Sequence, residues 1–200
     1  MSEKLSIDDA IVKLNDSDIE IRKLAVSSLK EIDDEKLIED KKLIDILIDR
    51  LNDESPLIKH EIAKILGNIG ESAVDPLLNA IKNGDGEFKK FVSFALKETS
   101  SGKAIDYFIG CLDDEDWAIR KIAVRSLGEL KVIKAVELIS NKTGDEDWGV
   151  RLAAIRSLGD LEIEEAIAPI KKARRKEKDK DFKKAANKAI KQIEKVINKK

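Results

Sequence analysis

The chain has 200 residues, of which 42% are hydrophobic and 39% charged, with a formal net charge of −2, one Cys and one His. This apolar content is sufficient for a buried core, whereas Cys111 and His60 are too few for a disulfide framework or for a metal site built from Cys and His ligands. The first residues, MSEKLSIDDA, lack the basic and apolar stretches of a signal peptide, and no apolar run approaches the roughly 18 residues of a membrane span. We therefore expect a cytoplasmic protein without a membrane span.

One sequence unit is repeated along the chain. The sequence DEDWAIRKIAVRSLGEL (114–130) recurs as DEDWGVRLAAIRSLGDL (145–161), with 11 of 17 positions identical. Alignment on the Leu of RSLG extends this pair to six blocks, of which only the first is followed by a longer interval; they begin at Asp16, Asp53, Asn83, Asp114, Asp145 and Glu177. A regular period of roughly 31 residues predicts a solenoid of stacked helical repeats.

The first helix of each repeat, helix A, is predicted from apolar runs such as AVDPLLNAI and AIDYFIGCL. These runs begin at equal intervals, at Ala73, Ala104, Ala135 and Ala166. Pro76 and Pro169 lie three residues into their runs. We therefore place both in the first turn of a helix, where a missing N–H does little harm.

The second helix, helix B, follows an acidic turn. Apolar or small residues lie three, four, seven and eight positions after the first, as in Ile119, Ile122, Ala123, Ser126 and Leu127. This spacing is typical of an amphipathic helix. The predicted N-caps are Asp18, Ser55, Asp85, Asp116, Asp147 and Asp179, and the predicted C-caps are Gly67, Gly128 and Gly159. The sequence thus predicts about twelve helices and no strand, in one domain spanning residues 1–200.

A basic residue recurs near the start of helix B, at Arg22, Lys59, Lys89, Arg120, Arg151 and Lys183. These bases could form a phosphate-binding track. Acids recur in the turns at matching intervals, however, and patterned opposite charges on stacked helices usually pair with each other. We therefore favour a structural role for this ladder.

Trp117 and Trp148 occupy the same repeat position at the start of helix B. One interpretation is that each ring covers the junction between repeats. The other is that each ring faces a ligand, because the positions four and eight residues later lie on the same helical face. The second interpretation predicts one exposed partner-binding patch across repeats three to five, formed by Phe94, Trp117, Lys121, Arg125, Trp148, Leu152 and Arg156.

The end of the chain is strongly basic. Residues 171–200 hold 14 Lys and Arg against 4 acids, whereas residues 1–170 hold 24 basic and 36 acidic side chains. An apolar stripe that includes Phe182 and Ile190 continues through this segment, which predicts a basic capping repeat at the C-terminal end of the solenoid. Binding of nucleic acid or of an anionic membrane surface is a further interpretation of the same charges.

The block DEDWAIRKIAVRSLGEL resembles the HEAT-like repeat of the bilin-lyase type, whose pattern is an acidic turn, a Val-Arg pair, small residues inside helix B and Leu-Gly at its end. The likeness covers essentially the whole chain, although Lys30 and Lys191 replace the Gly and Pro56 enters a turn. It implies an all-α, right-handed α-α superhelix of about six two-helix repeats, with helix B lining the inner face. Such families include scaffolds, regulatory subunits and enzymes, so no single function is implied.

No catalytic constellation is evident, because His60 and Cys111 have no companions that would form a dyad. We expect no catalytic residues, no metal and no cofactor. The leading hypothesis is a non-enzymatic scaffold that presents its concave helix-B face to another protein, as a monomer or as part of a complex. One alternative is nucleic-acid binding, as in HEAT-like DNA glycosylases, although the acidity of residues 1–170 counts against it. The other is a tetrapyrrole lyase, which only the resemblance suggests.

Overall fold

The structure is a computed structural model that describes residues 5–32, 37, 40–84 and 86–199. Within these ranges the chain forms twelve α-helices and no strand. The predicted all-α class is therefore confirmed, whereas the proposed N-cap Asp85 lies outside the described residues. The chain divides into two compact units, residues 1–104 and 105–200.

The first unit consists of repeated helix pairs. Its helices are α1 (Ile7–Lys13), α2 (Ile19–Leu29), α3 (Lys41–Asp49), α4 (Pro56–Ile69), α5 (Glu71–Asn83) and α6 (Gly86–Thr99). Helix α4 packs against both α2 and α6, so the three B helices of this unit lie side by side. Helix α3 packs against α4 and α5. Within this unit, α4 therefore contacts the B helices of both neighbouring repeats, as stacking requires.

The second unit repeats the same arrangement. After α7 (Gly102–Gly110), which begins in the first unit, its helices are α8 (Trp117–Glu129), α9 (Val136–Asn141), α10 (Trp148–Asp160), α11 (Ile167–Lys176) and α12 (Lys180–Ile197). Helix α10 packs against both α8 and α12. Short 3₁₀ turns join the helices, for example at Cys111–Asp113 and Lys142–Gly144. The B helices α8, α10 and α12 form the row on which the candidate site lies.

The predicted apolar stripe forms the core. In α8, Ile119, Ala123 and Leu127 are buried, while Ile122 is half-buried. The first Ala of each helix-A run is completely buried, at Ala73, Ala104, Ala135 and Ala166. Burying a side chain such as Leu127 stabilises the fold by about 1.5–3 kcal/mol. Repeated burial at equivalent positions therefore explains why the apolar residues follow the period of the repeat.

The predicted N-caps are confirmed wherever they are described. The Asp116 carboxylate accepts a hydrogen bond from the N–H of Ala118, and that of Asp147 accepts one from the N–H of Val150. Side-chain oxygens at the other described positions also accept hydrogen bonds from the first turn of their helices, at Asp18, Ser55 and Asp179. A capping bond of this kind stabilises a helix by about 1 kcal/mol, and it fixes where each B helix begins.

The prediction that Gly67, Gly128 and Gly159 are C-caps is wrong. Helix α8 continues through Gly128 to Glu129, and helix α10 continues through Gly159 to Asp160. The glycines instead allow neighbouring B helices to approach each other. A Cβ on Gly128 would lie 2.4 Å from the Cβ of Ser157, and the corresponding distances are 2.3 Å from Gly67 to Glu98 and 2.8 Å from Gly159 to Ala189.

The left-handed backbone expected after a helix occurs a few residues later than predicted. It is found at Gly70, Ser100, Lys131 and Glu162, which have φ values of 71°, 52°, 51° and 56°. Three of these four residues are not glycine, so the glycine content of the sequence does not mark the helix ends. Pro76 also departs from prediction, because α5 begins at Glu71 and places this proline beyond the first turn. Pro169, at the third position of α11, lies in the first turn as predicted.

Candidate functional site

The basic ladder is occupied by contacts within the fold. The Arg120 guanidinium donates to both carboxylate oxygens of Asp145, from Nε and Nη2 at 2.9 Å each. Its Nη1 donates to the backbone carbonyls of Asp114 and Glu115 at 2.8 and 3.0 Å. The Arg120 and Asp145 side chains are only 7% and 5% exposed. This guanidinium therefore fixes its own turn to the next one and is not available to a ligand.

Three equivalent bases behave in the same way. Each donates to an acid at the start of the next repeat, in the pairs Arg22–Asp53 at 2.8 Å, Lys59–Glu87 at 2.8 Å and Arg151–Glu177 at 3.3 Å. The structural interpretation is thus confirmed for Arg22, Lys59, Arg120 and Arg151. Of the remaining two bases, Lys89 is half-buried and Lys183 is exposed.

The electrostatics of the Asp145 turn reflect this pairing. Partial burial raises the pKa of Asp145, but the hydrogen bonds from Arg120 and from the Asp147 N–H together outweigh it, and the net shift of the pKa is downward. Asp145 consequently remains ionised to a lower pH than an ordinary Asp side chain does, and its contact with Arg120 is retained there.

Both tryptophan rings are half exposed. Trp117 and Trp148 each follow an N-cap Asp at the start of a B helix and are 50% and 42% exposed. The Nζ of Lys121 lies 5.4 Å from the centroid of the Trp117 ring, one helical turn away. The same amine lies near the start of α10, since a Cβ built on Gly149 would be 3.8 Å from it. The Lys121 amine therefore lies between the Trp117 ring and the first residues of α10.

A groove of about 570 Å³ lies along the contact between α10 and α12. Its floor is apolar and is formed by Leu152, Ala185 and Ala189, while Trp148 forms one wall. Three exposed cations, which we call the cationic rim, surround this floor: Arg156, Lys184 and Lys188. The remaining lining residues are polar or acidic, namely Asp160, Asp181 and Gln192. The groove therefore combines apolar area with an excess of positive charge.

Asp160 lies at the far end of this groove. Its carboxylate accepts a hydrogen bond from Nε2 of Gln192 at 3.4 Å. Burial raises the pKa of Asp160, the bond from Gln192 opposes this effect, and the nearby Glu129 adds to it, so that the net shift of the pKa is upward. Glu129 in turn accepts a hydrogen bond from Arg125 at 2.9 Å. The acidic residues Glu129 and Asp160, at the C-terminal ends of α8 and α10, thus lie next to the cationic rim.

The structure divides the predicted patch. Trp117, Lys121, Arg125, Trp148 and Arg156 lie on the B helices of the second unit, with Arg125 and Arg156 exposed. Leu152 is 8% exposed, so its predicted place on the exposed surface is wrong, because its side chain packs beneath the groove against α12.

Phe94 belongs to the first unit. There its ring is half-buried and stacks on His60 with a centroid distance of 4.8 Å. Lys97 also contacts this aromatic pair, with its Nζ 4.8 Å from the Phe94 centroid. These neighbours give Phe94 and His60 a local packing role, which the sequence analysis did not predict.

Sequence analysis missed the contribution of α12. Lys184 and Lys188 occupy the same positions of the last block that Lys121 and Arg125 occupy in the fourth. The repeat alignment therefore contained the signal needed to find them. Because the whole segment 171–200 is rich in lysine, its composition does not distinguish these two positions from the rest.

Comparison with known proteins identifies the family. The HEAT repeat family matches residues 7–88, 74–140 and 109–191, which together span nearly the whole described chain. The chain belongs to the HEAT repeat family. No curated protein matches the sequence. In this HEAT repeat protein, no helix of the described residues is long and apolar enough to cross a membrane.

Solved structures show the same repeat architecture. The complex of CpcE and CpcF of phycocyanin lyase from Nostoc sp. PCC7120 is similar to 75% of this HEAT repeat chain and 99% of its own, with a TM-score of 0.65 and 21% identity. A designed armadillo repeat protein in complex with the peptide (KR)4 is similar over 94% of this chain and 100% of its own, with a TM-score of 0.52 and 18% identity. At these identities the likeness establishes the fold.

Proposed function

We propose that this HEAT repeat protein is a non-enzymatic interaction scaffold, which binds a partner protein on the row of B helices α8, α10 and α12. The observation that carries this proposal is the half-exposure of Trp117 and Trp148 at equivalent repeat positions. Tryptophan is seldom left accessible without a role, and Trp and Arg are the residue types that most often dominate interface energetics.

The charges on this face support the same proposal. The buried bases of the ladder are held by their acids, but beside the tryptophans Arg156 is exposed and Lys121 is partly exposed. A surface that alternates aromatic rings with cations provides both apolar area and orientation for a protein ligand. Armadillo-type neighbours support such a role, since one of them is a designed protein in complex with a peptide.

The alternative functions have weaker support. The phycocyanin lyase complex is similar at 21% identity, and this likeness concerns the fold rather than bilin chemistry. Nucleic-acid binding would require a broad basic surface, whereas the acidic turns at Asp114–Asp116 and Asp145–Asp147 stand directly beside the two tryptophans. We infer that the partner is a protein.

The test is selective loss of a partner. Trp117→Ala and Trp148→Ala should each weaken partner binding by about 2 kcal/mol, or roughly thirtyfold, while the helical circular dichroism spectrum is unchanged. Ile133→Ala and Leu138→Ala are the matched controls, because these apolar side chains are also exposed, at 57% and 40%, but lie beside or on helix α9 rather than on the B helices.

Binding would be measured by affinity capture from source cells, followed by calorimetry with each recovered protein. A partner that binds equally well to all four variants would contradict the proposal. Unfolding of the two tryptophan variants, with no selective change in binding, would instead assign the rings to packing between repeats.

A further inference from the structure

We propose that the groove between α10 and α12 binds an extended acidic segment of a partner protein, with an apolar side chain of that segment inserted between acidic residues. This inference rests on the proposed scaffold function and specifies the chemistry of the partner. It depends on the shape and the charge of the second unit alone.

The apolar part of the groove accounts for the inserted side chain. Leu152 and Ala189 are 8% and 4% exposed and form the apolar floor of the groove. Trp148 lies beside this floor and is 42% exposed. The volume of about 570 Å³ is within the range of ligand-binding sites. One leucine-sized side chain on this floor would cover the accessible edge of the Trp148 ring.

The cationic rim accounts for the acidic residues. In the described part of the chain, Arg156, Lys184 and Lys188 make no salt bridge, although Arg120 and Arg151 of the ladder are paired. The two carboxylates in the groove, Asp160 and Asp181, are outnumbered by the three cations of the rim. A partner with carboxylates on both sides of its apolar residue therefore complements the rim.

A polypeptide fits these features better than a nucleic acid does. A phosphate backbone would leave the apolar floor formed by Leu152, Ala185 and Ala189 unfilled, whereas a peptide can carry both an apolar side chain and carboxylates. An extended peptide advances about 3.3 Å per residue, so roughly three residues cross the ~10 Å between adjacent helices. Acidic residues about three positions apart could thus contact both α10 and α12.

The test uses a fluorescein-labelled peptide of about ten residues, in which Asp and Glu surround a central Leu. We expect saturable binding to the full chain by fluorescence anisotropy, with affinity that decreases as salt increases. Replacing the Leu by Gly should weaken binding about tenfold, and replacing the acids by Lys should abolish it. Trp148→Ala should weaken binding of the Leu peptide but have little effect on the Gly peptide.

Charge reversal locates the binding site. The double variant Arg156→Glu with Lys188→Glu should reduce peptide affinity at least tenfold. The matched control is Lys171→Glu with Arg175→Glu, which changes the net charge equally on exposed positions of α11 and should leave affinity unchanged. Equal binding to both double variants, or no binding to the native chain, would overturn the proposal.

Other occupants give distinct results. Binding of duplex DNA or of phosphatidylserine vesicles through Arg156 and Lys188, without peptide binding, would overturn the proposal, as would a dimer of this chain that the same double variant dissociates. If the partner captured through the tryptophans still binds the Arg156→Glu, Lys188→Glu variant, the acidic-segment proposal fails while the scaffold function stands.

Discussion

Arg120 uses all three nitrogens of its guanidinium group in hydrogen bonds. Two bonds go to the Asp145 carboxylate and one to the Glu146 carboxylate of the next repeat, and two go to carbonyls of its own turn. At the scale of single residues, these hydrogen bonds of Arg120 fix the relative position of two successive repeats. The cost of burying the two charges is offset only while both partners are present.

We predict that Arg120→Ala lowers the free energy of unfolding by about 3 kcal/mol, because it leaves the Asp145 carboxylate buried without its partner. Urea unfolding followed by circular dichroism would measure the change. Since the pKa of Asp145 is lowered in the native protein, the stability from this pair is present above the unfolded-state pKa and is lost as pH falls through the folded-state pKa.

Arg125→Ala is the matched control for this prediction. Arg125 is 59% exposed on the side chain and pairs with Glu129 within one helix, so its loss should cost no more than about 0.5 kcal/mol. Equal destabilisation by the two substitutions would contradict the structural role assigned to the ladder.

Asp160→Asn is predicted to stabilise the protein at neutral pH. The folded-state pKa of Asp160 is raised by burial, so the ionised carboxylate reduces stability above that pKa and has no such effect below the unfolded-state pKa. The amide oxygen of Asn can still accept the bond from Gln192. The urea midpoint should therefore rise at pH 7 and coincide with that of the native chain below about pH 4. Asp181→Asn, at an exposed position of the same groove, is the control and should leave the urea midpoint at pH 7 nearly unchanged.

At the scale of elements, the contact between B helices depends on a missing side chain. Gly128 on α8 lies against Ser157 on α10, and a Cβ built on the glycine would be 2.6 Å from the Cα of the serine. Backbone atoms cannot withdraw as a flexible side chain does, so the two helices would have to separate. The Gly of the RSLG motif is therefore required for stacking of the repeats.

We predict that Gly128→Ala destabilises the protein by about 1–3 kcal/mol, even though alanine is the better helix former by about 1 kcal/mol. Gly110→Ala is the control, because nothing lies within 4 Å of the Cβ it would add at the end of α7. That substitution should leave stability unchanged or slightly raised. A thermal midpoint that rises equally for both would show that α8 and α10 do not approach this closely.

At the scale of the whole molecule, the repeat continues through the boundary between the two compact units. The starts of helix A at Ala73, Ala104 and Ala135 keep an equal spacing, and α7 (Gly102–Gly110) passes through the boundary at Ala104 as one helix. In a solenoid, stability is shared between neighbouring repeats. The proposal of a single domain over residues 1–200 follows from this continuity.

Unfolding of the full chain tests this proposal. Both tryptophans belong to residues 105–200, so tryptophan fluorescence reports the second unit alone, whereas circular dichroism at 222 nm reports all helices. We predict that the two urea transitions coincide, as expected for one cooperative unit. A fluorescence transition displaced from the circular dichroism transition would show that the two units unfold independently.

The sequence by itself determined the repeat period, the described N-caps and the pairing of four ladder bases, Arg22, Lys59, Arg120 and Arg151. These features depend on neighbours within one repeat or on the same contact repeated in each block, so the periodicity of the sequence reveals them. The sequence also identifies Trp117 and Trp148 as equivalent positions, but their exposure depends on which faces of α8 and α10 the neighbouring helices cover.

Only the tertiary structure decided what lies between repeats. The close contact at Gly128, the burial of Leu152 and the groove completed by Lys184 and Lys188 all depend on how closely two B helices approach each other. A glycine near a helix end looks the same in the sequence whether it is the C-cap of that helix or allows the close approach of an adjacent helix. The choice is made by the backbone of the adjacent B helix, one full repeat away in sequence, because van der Waals repulsion acts through space rather than along the chain.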